Sequence, residues 1–359
     1  MYINTIIIGS GSYIPEIVVK NDDFLSHEFY DESGVQFEQD NRETIDKFKE
    51  ITGISERRYL SDDLNNSDMA FFAAQKAIED ADIDPESLDY IILGHNFGDI
   101  LEDNWKTDMV PSISARVKNK LDIKNPYCIP LDVPFGCPGW LQGFIMADIF
   151  MKSGHAKKAL VIGSESLSRI VDPHNRDTMI FSDGAGAVVL EAKESEDQFG
   201  VISSKTRSDT KGEFLNLLDM QKSLNPDYKD DTLFLRMKGR KLYNYSLKTV
   251  PPLVKEVIDE VGIGIDQIQK ILIHQANEKM DDAMVRGLFK LYGLRDYPKE
   301  VLPMSIAHLG NNSVATIPIL YDLISKGMTD SNSYKSGDYV VFVSVGAGLY
   351  INAMVYLVP

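Results

Sequence analysis

A cysteine between two predicted elements is the residue best placed to do covalent chemistry. Cys137 lies in residues 132–140 (DVPFGCPGW), where an apolar strand pattern ends and a helix pattern begins at Pro138. The free amides and the dipole at a helix N-terminus stabilise a thiolate, so we expect a nucleophilic cysteine with a lowered pKa. The alternative is a small buried core residue, which is how we interpret Cys128.

Two other segments offer partners for this cysteine. Residues 271–277 (ILIHQAN) place His274 directly after an apolar strand, and residues 308–313 (HLGNNS) place Asn311 directly after a glycine. Taken alone, such a histidine is commonly a hydrogen-bonded core residue, and asparagine beside glycine is ordinary turn chemistry. Together with Cys137 they indicate a Cys/His/Asn site for acyl transfer.

The second half of the chain also resembles the first half. Three pairs of segments match in the same order: 77–92 with 257–272, 136–137 with 310–311, and 182–186 (SDGAG) with 344–348 (SVGAG). Ordered matches of this kind predict an internal duplication, with one half at residues 1–198 and the other at 199–359. Cys137 and Asn311 take equivalent positions, so a pseudo-twofold axis would bring them face to face.

Buried strand patterns alternate with amphipathic helices in both halves. The predicted strands are 90–93, 159–162, 187–190, 270–273 and 339–343, and the clearest helices are 67–81 and 252–261. This alternation predicts an α/β architecture with mainly parallel strands, whose carboxyl ends are where such sheets bind ligands. The polar stretches 26–44 and 99–108 are predicted loops.

Composition narrows the classes of function. A formal net charge of −17 over 359 residues argues against nucleic-acid binding, and an acidic carrier partner would need a local basic patch. The two cysteines cannot build a disulfide framework and no cluster has metal-ligand spacing, so we expect a reducing cytoplasm and no metal site. We expect no signal peptide, and we interpret the uncharged residues 340–358 as two buried strands rather than a membrane span.

These motifs resemble the β-ketoacyl-acyl-carrier-protein synthase III family of thiolase-like ketosynthases. The resemblance covers nearly the whole chain, through residues 8–15 (IGSGSYIP), 52–54, the Cys137 turn, 172–176 (DPHNR), 182–186, 274–277 (HQAN), 310–311 and 346–348. It implies the thiolase-like fold, in which two duplicated α/β halves form a layered αβαβα architecture.

The resemblance also implies an activity and its residues. Cys137 would take an acyl group from a thioester, and His274 with Asn311 would promote decarboxylation of malonyl-acyl carrier protein (malonyl-ACP), whose carbanion attacks the acyl-cysteine. The amides of Cys137 and Ala347 would form the oxyanion hole. No metal or organic cofactor is implied. The expected partners are an acyl thioester, acyl carrier protein and a second copy of the chain.

Substrate and carrier contacts are implied by the same comparison. They are Arg176, Asn277, Lys279, Val110 and Gly348. The chain departs from the family where typical bacterial members place a tryptophan and an arginine against the coenzyme A nucleotide, since Lys47 and Ile51 stand there. The identity of the starter acyl group is therefore open. Its carrier is also open, and is either coenzyme A or acyl carrier protein.

The leading hypothesis is thus a decarboxylating ketosynthase, an acyltransferase by class, in fatty-acid or specialised lipid or polyketide biosynthesis. Two alternatives stay open at this point. One is a non-decarboxylating acyltransferase on the same fold, and the other is a catalytically silent partner subunit of another ketosynthase.

Overall fold

Two β-sheets form the frame of the protein. The computed structural model describes residues 1–101 and 106–359. Its strands are β1 (Tyr2–Tyr13), β2 (Ile17–Lys20), β3 (Glu56–Tyr59), β4 (Tyr90–His95), β5 (Ile129–Pro134), β6 (Lys158–Ser166), β7 (Asp183–Ser195), β8 (Gly200–Ser208), β9 (Leu218–Gln221), β10 (Phe234–Met237), β11 (Ile268–Ile273), β12 (Tyr339–Gly346) and β13 (Tyr350–Leu357). The helices are α1 (Asn41–Thr52), α2 (Asn66–Ala81), α3 (Ile113–Lys120), α4 (Gly139–Lys152), α5 (Gly239–Val261), α6 (Glu278–Leu291), α7 (Ile306–Leu309) and α8 (Thr316–Ser325).

The larger sheet has the strand order β1-β7-β6-β4-β5, and the smaller has β11-β12-β13-β8. All strands of the larger sheet precede residue 196, and all strands of the smaller one follow residue 199. This arrangement is compatible with the predicted boundary between residues 198 and 199, which stays a prediction.

Helices α4 and α8 lie between the two sheets. Trp140 and Phe144 of α4 and Leu320 of α8 share one buried cluster with side chains of both sheets. Both helices are apolar on nearly every side, as a helix covered on both faces must be. Helix α2 packs outside the larger sheet, and α5 and α6 pack outside the smaller one. The layered αβαβα order that the resemblance implies is confirmed.

The expectation of mainly parallel strands is wrong. In the two sheets, β4 pairs in parallel with β5 and β6, and β11 with β12, whereas the other four pairings are antiparallel. The physical reason is the connection. Strand β13 follows β12 through a short turn, and such a turn can join only antiparallel neighbours because a parallel pair needs a crossover.

Of two other predictions, one is confirmed and one is wrong about where a helix begins. The segment 340–358 is confirmed as two buried strands, β12 and β13, and among the described residues no helix is long and apolar enough to cross a membrane. The predicted helix 252–261 begins too late, because α5 starts at Gly239 and runs through Pro251 and Pro252. Burial of Val250 and Leu253 against the smaller sheet holds this stretch helical despite its prolines.

The close contact between α8 and the larger sheet depends on a glycine, Gly186 of β7. A Cβ on Gly186 would lie 2.6 Å from the backbone nitrogen of Ile319 and 2.8 Å from the carbonyl carbon of Pro318. We expect Gly186→Ala to destabilise the fold by about 2 kcal/mol, because backbone atoms cannot move aside as a side chain can. Urea unfolding followed by circular dichroism measures this change. Gly239→Ala is the matched control, since its Cβ would meet nothing closer than 3.8 Å, and equal losses in the two variants would contradict the contact.

Candidate active site

Cys137 lies at the carboxyl end of β5, two residues before α4. Gly136 adopts a left-handed φ of 63°, which turns the chain sharply between strand and helix. The cysteine is half-buried and is a free thiol. The predicted position of Cys137, in a sharp turn between a strand and a helix, is therefore confirmed.

The loop 346–348, which begins at the last residue of β12 and leads toward β13, packs directly against this turn. A Cβ on Gly136 would lie 2.8 Å from the amide nitrogen of Ala347, and a Cβ on Gly346 would lie 2.6 Å from the amide nitrogen of Cys137. Glycine at both positions thus lets two backbones meet, one from each sheet. Cys137 and Ala347 both line the same cavity. The oxyanion hole formed by their amides stays a prediction.

Ser313 connects the other two predicted residues to the cysteine. Its hydroxyl donates to Cys137 Sγ at 3.4 Å, and its backbone N–H donates to Asn311 Oδ1 at 2.8 Å. The segment directly before β7 fixes the backbone of Asn311, because the Asn311 N–H donates to the Ile180 carbonyl and the Asn311 carbonyl accepts from the Ser182 N–H. The Ser313 N–H therefore fixes which side of the Asn311 amide carries the oxygen and which carries the Nδ2 donor.

His274 directly follows β11, and its N–H donates to the Val343 carbonyl of β12 at 2.8 Å. The next residue, Gln275, anchors this segment, because its Oε1 accepts from the backbone N–H groups of Ser305 and Ile306. Burial lowers the pKa of His274 to about 4, and a hydrogen bond with the Ser313 backbone opposes this shift only in part. The imidazole is therefore neutral at physiological pH and carries one N–H donor.

The expected lowering of the cysteine pKa is wrong for the unliganded site. Burial raises the pKa of Cys137 to about 11, although the Ser313 hydroxyl works in the opposite direction. Desolvation of the thiolate outweighs the stabilisation by the helix terminus. The resting site therefore holds a neutral thiol beside a neutral imidazole.

Two adjoining cavities contain these groups. The inner cavity, of about 370 Å³, is lined by Cys137, His274, Asn311, Ser313, Ala347 and Gly348, and by apolar side chains that include Phe97, Leu218, Met220 and Leu235. The outer cavity, of about 490 Å³, shares Met237, Leu242, Ala276 and Met280 with it. Two adjoining cavities with mainly apolar walls suit an acyl chain carried on a long arm.

The predicted carrier contacts are divided between different places. Arg176 and Asn277 line the outer cavity, together with Lys47 and Ile51. The guanidinium of Arg176 lies 4.6 Å from the Phe37 ring centre, and Asn277 caps α6 by accepting from Met280 N. Lys279 forms an exposed ion pair with Glu50 at 3.4 Å and lines neither cavity.

Val110 is also outside both cavities, and it is 86% exposed. The loop before it is closed at its base, since Asp99 and Asp108 exchange backbone hydrogen bonds and Arg116 pairs with both carboxylates. Residues 102–105 of this predicted loop lie outside the described residues.

Comparison with known proteins identifies this arrangement. A family model for 3-oxoacyl-[acyl-carrier-protein] synthase III matches residues 131–210, and the model for its C-terminal part matches residues 258–358. A β-ketoacyl-[acyl-carrier-protein] synthase III from Erythrobacter litoralis is 32% identical over 349 residues, which cover 96% of this chain and 97% of that protein. This chain belongs to the β-ketoacyl-acyl-carrier-protein synthase III family.

Solved structures place the synthase III fold over the whole chain. The 3-oxoacyl-[acyl-carrier-protein] synthase III of Aquifex aeolicus is 30% identical with a TM-score of 0.80, covering 99% of this chain and all of its own. The enzyme of Pseudomonas aeruginosa is 25% identical, also with a TM-score of 0.80, over 99% and 98% of the two chains. The priming β-ketosynthase of the R1128 polyketide pathway, 23% identical, has the same fold with a TM-score of 0.81 over 99% and 96%.

Sequence reasoning assigned no role to Ser313, although it ends the segment that contains Asn311. We expect Ser313→Ala to slow acylation of Cys137 about three- to tenfold, because one hydrogen bond that favours the thiolate is lost while the backbone bond to Asn311 remains. The rate of acyl-adduct formation, followed by intact-protein mass spectrometry, measures this effect. Ser153→Ala removes an exposed hydroxyl and is the matched control. An unchanged rate in Ser313→Ala would show that this hydroxyl does not activate the thiol.

Proposed function

We propose that this synthase III homologue condenses an acyl group held on Cys137 with malonyl-ACP, with loss of carbon dioxide. In this proposal the protein is an acyltransferase in its first half-reaction and a condensing enzyme in its second. The free thiol that the reaction needs agrees with a reducing compartment such as the cytoplasm.

The first half-reaction loads the enzyme. Cys137 Sγ attacks the thioester carbonyl carbon of the starter, the bond to the carrier sulfur breaks, and the thiol proton passes to the leaving carrier thiolate. The amides of Cys137 and Ala347 stabilise the tetrahedral oxyanion. Because the thiol proton leaves with the carrier, acylation consumes no net proton.

The second half-reaction forms the carbon-carbon bond. His274 and the Asn311 Nδ2 group donate hydrogen bonds to the malonyl thioester oxygen, so negative charge collects on that oxygen as carbon dioxide departs. The α-carbon of the resulting enolate attacks the acyl carbonyl carbon, and the bond to Cys137 Sγ breaks. The released thiolate takes up one proton. These steps use only the chain's own residues, so we expect no cofactor requirement.

The observation that carries the proposal is the fixed orientation of the Asn311 amide. The Ser313 N–H occupies Oδ1, which leaves Nδ2 as a second oxyanion donor beside His274 in the inner cavity. A non-decarboxylating acyltransferase has no need of this donor, and a silent subunit has no need of any of the three residues. Family membership likewise favours condensation over both alternatives.

The mouth of the outer cavity suits an acidic carrier protein. Lys47, Arg176 and Arg240 line this cavity, although the chain has a net charge of −17. Such a local basic rim can attract the acidic surface and phosphopantetheine arm of acyl carrier protein. Phe37 already covers one face of the Arg176 guanidinium, which reduces the room for a stacked nucleotide. We therefore favour acyl carrier protein over coenzyme A as the carrier of the starter.

We expect these roles to separate in a two-step assay with a panel of acyl-coenzyme A and acyl-carrier-protein thioesters, followed by malonyl-ACP, in buffer that contains a chelator. Cys137→Ala should form no adduct, because the attacking sulfur is gone. Asn311→Ala should form the adduct but lose condensation about 100-fold or more, because one oxyanion donor is missing. Intact-protein mass spectrometry follows both steps.

Asn119→Ala, which changes an exposed residue of α3, is the control for both steps. Equal loss of acylation in Cys137→Ala and Asn311→Ala would contradict the assigned roles. An adduct that wild type passes only to an alcohol or amine would replace condensation by simple acyl transfer.

Strand β5 is an edge of the larger sheet, and Ile129 on this strand is 41% exposed. Ile149 of α4 is 56% exposed as well. Because unpaired strand edges with apolar side chains favour pairing, we propose that a second copy of the chain covers this edge and the exposed Val110.

Light scattering should give a mass twice the 40.3 kDa of one chain, and Ile129→Lys should reduce this mass to that of one chain. Leu294→Lys is the control, and a single-chain mass for wild type would refute the dimer.

A further inference from the structure

A buried acid lies at the same sheet edge as the nucleophile. Strands β6, β4 and β5 are adjacent and parallel, so their carboxyl ends meet at one place. Glu165 is the last residue but one of β6, Asn96 directly follows β4, and Cys137 follows β5. The reaction described above makes no use of Glu165 or Asn96.

The Glu165 carboxyl is held on one side only. Its Oε2 accepts from Asn96 Nδ2 at 2.5 Å, and its Oε1 is buried with no hydrogen-bond partner among the described residues. The side chain is fully buried, whereas Asn96 lines the inner cavity together with Cys137. A buried carboxyl oxygen without a hydrogen-bond partner lowers the stability of the fold. A gain in stability therefore does not explain why a glutamate stands at position 165.

Burial raises the pKa of Glu165 to about 7. His95 and the hydrogen bonds from Asn96 lower it, whereas the nearby Asp183 carboxyl raises it. His95 is itself bonded to Asp132 at 3.0 Å, and Asp183 is bonded to Leu60 and Ser168. On α2, Asn66 carries no charge, and its Oδ1 accepts from Ser164, the residue before Glu165.

The charge of Glu165 acts on the cysteine. Besides burial, the Glu165 carboxylate raises the pKa of Cys137, because a negative charge nearby disfavours a thiolate. When Glu165 binds a proton this opposition ends. The two groups are therefore linked, and a change of protonation at Glu165 changes the fraction of reactive thiolate.

We propose that Glu165, held by Asn96, is a positioning residue that controls how readily Cys137 gives up its proton, so that the nucleophile is most easily activated while Glu165 is protonated. The proposal rests on the assigned role of Cys137.

The test is the pH dependence of Cys137 alkylation by iodoacetamide, located by peptide mass spectrometry, between pH 5.5 and 9.5. In wild type, the rise of the rate with pH should weaken near pH 7, where Glu165 ionises. Glu165→Gln should lack this inflection, match wild type below pH 6, and react about three- to tenfold faster at pH 8.5. Glu165→Asp, which keeps the charge, should keep an inflection.

Asn96→Ala gives a second, independent arm, also useful if Glu165→Gln does not fold. Loss of the hydrogen bond that lowers the Glu165 pKa should move the inflection to higher pH. Asp148→Asn is the control, because Asp148 is another buried acid, on α4, whose carboxylate is paired with Lys152 at 2.9 Å. A folded Glu165→Gln variant with the wild-type profile, or an Asn96→Ala variant with an unmoved inflection, would overturn the proposal.

The outcome is separable from that of the proposed function. Alkylation reports only the reactivity of the thiol. A Cys137 that shows the predicted profile but takes no acyl group would refute the condensation, whereas an active condensing enzyme with an unchanged Glu165→Gln profile would refute only the role of Glu165.

Discussion

The site depends on one contact, in which the turn at Cys137 and the loop 346–348 meet backbone to backbone. Gly136 and Gly346 permit this approach, since a Cβ on either would collide with the opposite loop. The two segments follow strands of different sheets, which α4 and α8 hold apart. Neither sheet alone therefore contains both segments, and the central helix layer sets the distance between them.

Patterns of residues were sufficient to predict much of this arrangement. Cys137, His274 and Asn311 each occupy a recognisable end of an element, and the duplicated glycine motifs predicted that these ends converge. Strand directions were harder, because buried parallel and antiparallel strands have the same apolar pattern and differ only in how they are connected. The start of α5 was missed for a related reason, since its prolines mimic a helix beginning although tertiary packing carries the helix through them.

Electrostatic properties were not predictable in the same way. A helix terminus at Cys137 predicts a lower pKa, but desolvation depends on how completely other segments cover the sulfur. Those segments come from distant parts of the chain, as Ser313 illustrates. Ser313 has no distinguishing pattern, because a serine in a turn is common, and only the folded geometry shows that it contacts the cysteine and orients the asparagine.

The hairpin of β9 and β10 belongs to neither main sheet, yet Leu218, Met220 and Leu235 on it form part of the inner cavity wall. The reacting groups, in contrast, belong to the two sheets and their connections. Selection can thus lengthen, shorten or reshape the acyl chamber by exchanging hairpin side chains while the chemistry stays untouched. Such a separation lets one scaffold diversify its starters over evolutionary time, and it marks the hairpin as the place to redesign chain-length preference.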